Sequence, residues 1–505
     1  MVRETETSPW WQTRWFMLAA IAAAAIPLLW PAFPPLMDMP GHIGRYRILE
    51  EAGHGPLAAH YGVRPALIGN LGIDLLVLGL RPLLDVEPAA KLIVVLIPML
   101  TVAAMLWVAK EAQGRIPASA GFALPLAYSY PFQLGFVNFC LAAGLSIAGL
   151  ALWIRMARGN KPLIRALTFA PIACLLWLVH SFGWAMLGLF VFGAEWRLRV
   201  EAGERWSLAA IRAALMCLPM SVPVFVMLAH TTDGLSGDTG DWFHWTAKAQ
   251  WVVSLLRERW KPWDVACVIV IAFLVWTAIR SRRMSFAPLL GVPALFGLAS
   301  FVLMPRLYQG GSYVDMRILP YVTALALLAI RVAPGNEKLE RRLAIGATSF
   351  FLARLTVTTV AFLLYAQSQQ QQLGALAVLP EGAGILVLID EPSSTSWGNP
   401  RFTHIAGIAI ARKRVFTNEQ WSLSGQQLIH PLHPSAAPLD RDPSQLVYPK
   451  GDDYRPTDFD DAIAHFDRGT FRYVWTIGFA PGSAHAADLA PIWSNGRSVV
   501  YRVTP

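Results

Sequence analysis

Apolar stretches of about 20 residues, the length that a helix needs to cross the hydrocarbon of a bilayer, recur along the first 370 residues. The 505 residues are 55% hydrophobic and only 15% charged, and the mean hydropathy is +0.44. Soluble domains carry about 25% charged residues. The pattern excludes an ordinary soluble enzyme and predicts a mainly α-helical bundle that crosses a membrane many times.

Charge in the connections predicts the orientation of the bundle. Lysine and arginine are retained on the cytoplasmic side of membranes. We therefore expect the basic connections to be cytoplasmic; they are residues 110–115, 155–165, 197–212, 280–283 and 331–342. Lys and Arg number 42 and Asp and Glu 33, so the net charge of +9 is explained without a nucleic-acid partner.

About eleven crossings satisfy this charge pattern, with the N-terminus in the cytoplasm. Residues 66–84 are apolar but interrupted by Asn70, Asp74 and Arg81. They would either span the bilayer or lie in its interface, and a crossing there would put the N-terminus or the basic loops on the wrong side. The predicted membrane segments are residues 15–33, 92–108, 116–130, 135–154, 163–180, 182–194, 209–230, 265–279, 288–304, 318–330 and 344–365.

Two domains are predicted. Residues 1–370 form the transmembrane domain, whose first loop, residues 34–88, lies outside the membrane. Residues 367–372, a glutamine run, are predicted to be a linker, and residues 371–505 to be a soluble α/β domain on the same external side.

The C-terminal domain shows strand patterns but no strand order. Residues 404–412 lead into Lys413-Arg414, which is predicted to lie on its surface. The predicted elements are strands at 384–389, 471–477 and 498–503, and a helix or strand at 405–411.

A charged cluster follows the first apolar segment. Residues 37–42 read Met-Asp-Met-Pro-Gly-His, with Arg45 and Arg47 close behind. Asp38 would be simply solvated there or would cap the next helix, but its neighbours favour chemistry. Arginine binds phosphate bidentately, and a carboxylate beside cations stays ionised, as a general base must. We predict that Asp38 is catalytic and that His42 and Arg45 bind substrate.

This cluster resembles the acidic first-loop motif of the GT-C class of glycosyltransferases, which includes protein O-mannosyltransferases and lipid A aminoarabinose transferases. Arg-Pro-Ala-Leu at 64–67 looks like the Lys-Pro-Pro-Leu element of the aminoarabinose branch. Asp-Met-Arg-Ile-Leu-Pro at 315–320 looks like the late Arg-(Phe/Tyr)-Leu-Leu-Pro motif. The chain departs from the class at Met39, where most branches have Glu, and at 64–65, with one proline and Arg for Lys.

The resemblance implies a polyprenyl-phosphate-sugar donor, an acceptor that is a glycan, lipid or protein, and a place among the lipids of the bacterial inner membrane, with the C-terminal domain in the periplasm. Asp38 is then the base for an inverting transfer, and Arg64 and Arg317 stabilise the phosphate. His42 orients Asp38 or contributes to a site for a divalent metal ion, Mg or Mn.

Other polar and aromatic residues are candidates for the substrate site, with packing or interface roles as the alternatives. They are Tyr128, His180 and, in the loop 306–317 that carries Arg317, Tyr313. Residues 231–262 are predicted to be a substrate-entry loop. Its Asp233, Asp238, Asp241 and His244 are metal-type ligands, but their spacing fits neither an EF-hand nor a zinc site.

Three other functions are compatible with a polytopic chain. A polysaccharide polymerase or O-antigen ligase would use arginines in a large late loop, and the first-loop motif speaks against it. A transporter or flippase needs charged groups near the membrane midplane. The central membrane segments of this chain are nearly uncharged, and Arg354 is the main exception. A non-catalytic sensor or assembly protein would not consume a lipid-linked sugar.

Overall fold

The computed structural model describes residues 9–159, 161–229, 239–309, 311–391, 397–420, 426–433 and 459–504. Asp233 and Asp238 of the predicted substrate-entry loop lie outside the described residues.

Helices make up most of the first half of the chain, as the apolar segments predict. They are α1 Arg14–Ala23, α2 Ile26–Leu29, α3 Met39–Glu50, α4 Gly72–Leu80, α5 Val86–Gln113, α6 Ala120–Ala123, α7 Tyr130–Leu134, α8 Val137–Ala157, α9 Pro162–Val179 and α10 Ser181–Glu201.

Helices also form most of the chain up to residue 373 and two short elements after it. They are α11 Trp206–Cys217, α12 Val222–Ala229, α13 Trp245–Val253, α14 Lys261–Arg280, α15 Pro288–Leu303, α16 Leu319–Ala329, α17 Glu337–Leu373, α18 Ala406–Lys413 and α19 Phe459–His465.

Within the described residues, six helices are long and apolar enough to cross a membrane, judged by length and composition. Two apolar helices, Arg14–Leu29 and Pro288–Leu303, are shorter. The helical membrane bundle is therefore confirmed, while the number of crossings and their direction stay predictions. The six helices are Val86–Gln113, Val137–Ala157, Pro162–Val179, Trp206–Ala229, Lys261–Arg280 and Glu337–Ala377.

The segment predicted to span at 116–130 is not one continuous helix. It is broken into α6, a 3-10 turn at Leu124–Tyr128, and α7. Pro125 and Pro131 lack the N–H that would continue the helical ladder. Every residue from 116 to 135 is buried, so this irregular backbone lies inside protein, where its polar groups find partners.

The first loop contains α3 and α4 and lies between α2 and α5. α4 has nine residues, which gives a helix about 14 Å long against a hydrocarbon thickness of about 30 Å. This length supports the prediction that residues 66–84 do not cross.

The glutamine run at 367–372 is helical, so the prediction of a linker is wrong. α17 continues through it to Leu373. Gln369 and Gln372 are 1% and 6% exposed, and Gln369 donates to the carbonyl oxygen of Arg401 at 3.0 Å. Glutamine favours helix, and these side chains bind the C-terminal domain instead of separating it from the bundle.

The C-terminal domain is built on a five-stranded sheet with strand order β5-β4-β7-β9-β8. β4 pairs in parallel with β5 and β7, whereas β9 is antiparallel to β7 and β8. The predicted strands at 384–389, 471–477 and 498–503 are confirmed, and α18 resolves the ambiguous segment at 405–411. The strands of the whole chain are β1 Tyr61–Val63, β2 Met284–Phe286, β3 Ile330–Val332, β4 Gly384–Ile389, β5 Phe416–Thr417, β6 Ile429–Pro431, β7 Tyr473–Ile477, β8 Leu489–Ser494 and β9 Ser498–Val503.

The C-terminal domain is joined to the first loop along an extended contact. β1 of the loop pairs antiparallel with β6, with Tyr61 opposite Pro431. Outside the strands, Arg414 forms a salt bridge with Glu51 at 2.9 Å. Both contacts fix the domain over the segment that begins at Asp38.

α3 and α18 meet at two glycines. A Cβ atom on Gly407 would lie 2.0 Å from the carbonyl oxygen of Pro40, and one on Gly44 would lie 2.9 Å from the Cα of Gly407. Only glycine permits this approach. α18 is pressed onto α3, and residues 403–411 are all buried, whereas Lys413 and Arg414, which are predicted to lie on the surface, are partly exposed.

We expect Gly407→Ala to lower the midpoint temperature of thermal unfolding of the detergent-purified protein. The added methyl group would overlap the Pro40 carbonyl, and overpacking of this kind costs about 1–3 kcal/mol. Gly79→Ala is the matched control, because a Cβ at this position in α4 meets nothing within 4 Å. Equal midpoints for the two variants would contradict the packing described here.

Candidate active site

Asp38 lies at the start of α3 and its backbone is held by the end of α7. The N–H of Met37 donates to the carbonyl oxygen of Gln133 at 3.2 Å, and that of Asp38 to Leu134 at 3.0 Å. Gly135 has φ +91°, and a Cβ there would lie 2.8 Å from the Asp38 nitrogen. The Asp38 side chain is buried and makes no capping hydrogen bond to α3, so helix capping does not explain its presence.

One imidazole lies near the Asp38 carboxylate, and a second lies one turn further along α3. The Nε2 atom of His404, in the C-terminal domain, is 3.7 Å from Asp38 Oδ1. His42 Nε2 is 3.2 Å from the carbonyl oxygen of Gly135, to which it donates. Burial lowers the pKa of His404 to about 3. Burial, helped by the charge of Arg45, also lowers the pKa of His42 well below its ordinary value, so both rings are neutral at pH 7.

Arg317 is held in a pocket of aromatic rings. Its guanidinium carbon lies 4.4 Å from the ring centroid of Phe136 and 5.8 Å from that of Phe182. Nη2 donates to the carbonyl oxygen of Ser312 at 3.0 Å. Within the part of the chain that the structure describes, Arg317 forms no salt bridge and its Nε has no hydrogen-bond partner. The guanidinium therefore keeps donors for an anion.

The charge of Asp38 acts on Arg317. Burial lowers the pKa of Arg317 to about 10, and the ionisable groups of Cys140 and Asp38 oppose this change. Arg317 stays cationic at pH 7. The structure thus brings near each other Asp38 and Arg317, the predicted base and the predicted phosphate-binding cation, from opposite ends of the transmembrane domain.

An apolar cavity of about 510 Å³ adjoins the Arg317 pocket. Phe182 belongs to both, since its ring faces Arg317 and also lines the cavity. The remaining lining is almost entirely hydrocarbon from α10, α15 and the loop before Arg317, and includes Leu189, Phe296, Leu303 and Val314.

The turn that carries Arg317 is pinned by a buried salt bridge. Lys248 Nζ is 3.0 Å from Asp315 Oδ2 and also donates to the Phe301 carbonyl oxygen at 2.8 Å. Tyr313, a predicted substrate contact, lies in the same loop with φ +58° and packs its ring on Trp251 at 5.3 Å. A bulky residue in this backbone region is strained, which marks the loop as tightly constrained.

His180 and Tyr128 are occupied by packing. His180 Nδ1 accepts the N–H of Phe182 at 3.1 Å, and its ring packs on Phe139 at 5.6 Å. The Tyr128 hydroxyl donates to the Ala24 carbonyl oxygen at 2.6 Å. His180 therefore supports the wall around Arg317, and Tyr128 joins the first helices to the buried 116–135 segment.

The other two predicted arginines lie elsewhere. Arg45 forms two hydrogen bonds with Asp74, at 2.8 and 3.0 Å, and both side chains are buried. This pair joins α3 to α4, so the substrate-binding role predicted for Arg45 is replaced by a structural one. Arg64 is exposed at the end of β1, where its charge contributes to lowering the pKa of His430.

Sequence reasoning missed Arg401. This residue is 1% exposed and donates to the carbonyl oxygens of Pro35 and Gln133, at 2.7 and 3.0 Å, and to Gln133 Oε1 at 2.9 Å. Its guanidinium carbon lies 4.2 Å from the ring centroid of Tyr365. Arg401 lies in no motif and no periodic segment, so only the fold reveals that it holds the backbone around Asp38.

Arg354, the charged exception among the membrane segments, has a structural partner. Nη1 is 2.8 Å from Asp264 Oδ1, and Nη2 is 3.6 Å from Glu258 Oε2. All three side chains are almost fully buried. The network ties α17 to the start of α14, and it compensates the charge of Arg354.

The predicted divalent metal does not fit the donors. His, Cys, Asp and Glu side chains of the described residues form no group of three or more that could hold an ion. One nitrogen of His42 is also engaged by Gly135. No metal is therefore given a role in the chemistry.

Comparison with solved structures finds the same fold in ArnT. The apo crystal structure of ArnT from Cupriavidus metallidurans has a TM-score of 0.50 and 13% identity, covering 96% of this chain and 97% of that one. ArnT from the same organism bound to undecaprenyl phosphate has a TM-score of 0.48 and 14% identity over the same shares. No family model and no curated protein matches the sequence. The chain has the ArnT fold, and the GT-C-type architecture expected from the sequence is confirmed.

We expect Arg401→Met to lower the thermal unfolding midpoint strongly. The change leaves the buried carbonyl oxygens of Pro35 and Gln133 without this donor, at a cost of about 1–3 kcal/mol for each acceptor. Arg412→Met is the matched control, because Arg412 forms an exposed salt bridge with Glu87, and such pairs contribute about 0–1 kcal/mol. A midpoint for Arg401→Met as high as that of the control would contradict the clamping role.

Proposed function

We propose that the protein is a membrane glycosyltransferase that moves a sugar from a polyprenyl-phosphate-linked donor to an acceptor hydroxyl, with Asp38 as the general base. The proposal depends on one observation: three features lie close together. They are the buried carboxylate of Asp38, the cation of Arg317, which has no carboxylate partner in the described residues, and the apolar cavity.

These features match the three parts of the donor. Arg317 keeps donors for a phosphate, the cavity beyond Phe182 suits an isoprenoid tail, and Asp38 is near enough for its charge to act on Arg317. The ArnT structure with undecaprenyl phosphate shows that a protein of this fold accommodates such a lipid.

The chemistry needs a base and a stabilised leaving group. The acceptor oxygen attacks the anomeric carbon from the face opposite the phosphate, so the configuration inverts. The bond from the anomeric carbon to the phosphate oxygen breaks with its electron pair, and polyprenyl phosphate departs. Asp38 accepts the acceptor's proton, and Arg317 stabilises the charge that develops on the phosphate.

The site faces away from the arginine-rich ends of the bundle. α8 begins just after Gly135, which abuts Asp38, and α10 begins next to Phe182, whose ring packs on Arg317; their last turns carry Arg155 and Arg199. Since arginine is retained in the cytoplasm, this arrangement supports a site on the extracytoplasmic face of a bacterial inner membrane, with the N-terminus inside.

The acceptor is a glycan, lipid or protein that reaches Asp38 from this face. Arg64, exposed on the first loop, stays a second candidate for phosphate binding during entry of the lipid. The transferred sugar is a hexose or a pentose.

We expect Asp38→Asn to abolish transfer while the protein still inserts and binds lipid. The amide keeps the shape of the carboxylate but accepts no proton, and a general base contributes about 10²–10⁴-fold. The assay is release of undecaprenyl phosphate from a pool of undecaprenyl-phosphate-linked sugars in purified membranes. Asp460→Asn, an exposed change in α19, is the control, and transfer by Asp38→Asn at the control rate would refute the role of Asp38.

We expect Arg317→Met to weaken binding of undecaprenyl phosphate about ten- to hundredfold, because a hydrogen bond to a charged group contributes about 1.5–3 kcal/mol. Binding is measured as the lipid-dependent rise of the thermal unfolding midpoint. Arg497→Met, an exposed change in the C-terminal domain, serves for comparison. Unchanged lipid stabilisation of Arg317→Met would exclude Arg317 from the phosphate site.

A further inference from the structure

We propose that His404 positions the carboxylate of Asp38, so that the C-terminal domain is a working part of the catalytic site. This inference rests on the proposed function, and it assigns to that site a residue from the far end of the chain.

Three contacts with a regular spacing place His404 against Asp38. Arg401 donates to the carbonyl oxygen of Pro35, which precedes Asp38. Gly407 abuts the carbonyl oxygen of Pro40, which follows Asp38. His404 lies midway between Arg401 and Gly407, and its Nε2 faces Asp38 Oδ1 at 3.7 Å. The segment 401–407 therefore lies along the loop 35–40 and holds both of its flanks.

The backbone at His404 is itself constrained. The N–H of Gly407 donates to the His404 carbonyl oxygen at 2.9 Å as α18 begins. Gly407 cannot move away from Pro40 without losing the contact between α3 and α18. The packing of these two helices therefore sets the distance between the His404 imidazole and Asp38. The His404 side chain is 1% exposed, so solvent does not compete for its position.

A neutral imidazole suits this role. Burial keeps His404 uncharged at pH 7, so its ring can donate an N–H to one carboxylate oxygen while leaving Asp38 ionised. The other oxygen is then directed toward the acceptor. The separation of 3.7 Å is longer than a hydrogen bond, and catalytic contacts of this kind shorten when substrate is bound.

The test compares two substitutions of equal length. His404→Gln keeps an N–H donor near the place of Nε2, whereas His404→Met fills the same space without a donor. We expect His404→Met to lower kcat about ten- to hundredfold, as loss of orientation by about 1 Å does, with KM for the lipid-linked sugar pool unchanged. His404→Gln should restore kcat to within a few-fold of the unmodified protein. His465→Gln, on the exposed end of α19, should have no effect.

Lipid binding separates positioning from simple structural support. Stabilisation by undecaprenyl phosphate should be the same in His404→Met, His404→Gln and the unmodified protein. If His404→Met loses this stabilisation, or if the Gln and Met variants are equally impaired, His404 supports the fold and the inference is overturned. If Asp38→Asn is inactive but His404→Met has normal kcat, the inference fails while the proposed function stands. If the unmodified protein transfers no sugar, both fail.

Discussion

The close approach of α3 and α18 is the contact on which the candidate site depends. Gly44 and Gly407 have no side chains to separate the helices, so Pro40 and Gly407 meet backbone to backbone. This contact brings the C-terminal domain down onto the loop that carries Asp38, and it buries residues 403–411. A side chain is held more precisely between two packed helices than on a free loop, which is the precision that the proposed role of Asp38 as a base requires.

The buried cations fall into two groups with different consequences. Arg45, Lys248 and Arg354 each have a carboxylate partner, which compensates their charge and joins separate elements. Arg317 and Arg401 are instead surrounded by carbonyl oxygens and aromatic faces. Arg401 donates hydrogen bonds to the backbone around Asp38, whereas Arg317 keeps donors for a ligand. The fold thus distinguishes the cations that join structural elements from Arg317, which makes no salt bridge within the described residues.

Much of the architecture follows from periodicity and charge. The helical membrane bundle, the strands at 384–389 and 498–503, and the short α4 were all predictable, because each depends on local hydrophobic pattern or helix length. The break at 116–134 and the helix through the glutamine run were not. Both depend on burial: Pro125 and Pro131 are tolerated because the segment is enclosed by protein, and the glutamines are helical because their side chains bind the C-terminal domain.

The sequence by itself determined that the chain is a membrane helix bundle with a sheet-containing C-terminal region, and it singled out Asp38 and Arg317 as candidates. These conclusions need only composition, spacing and short motifs, which are local properties. Tertiary structure alone decided that Arg45 forms a salt bridge with Asp74 and that Asp315 forms one with Lys248. It also decided that Arg401 binds the backbone beside Asp38 and that His404 lies next to the Asp38 carboxylate. The physical reason is that a charge or a donor acts on whatever folding places beside it, and these partners are far apart along the chain.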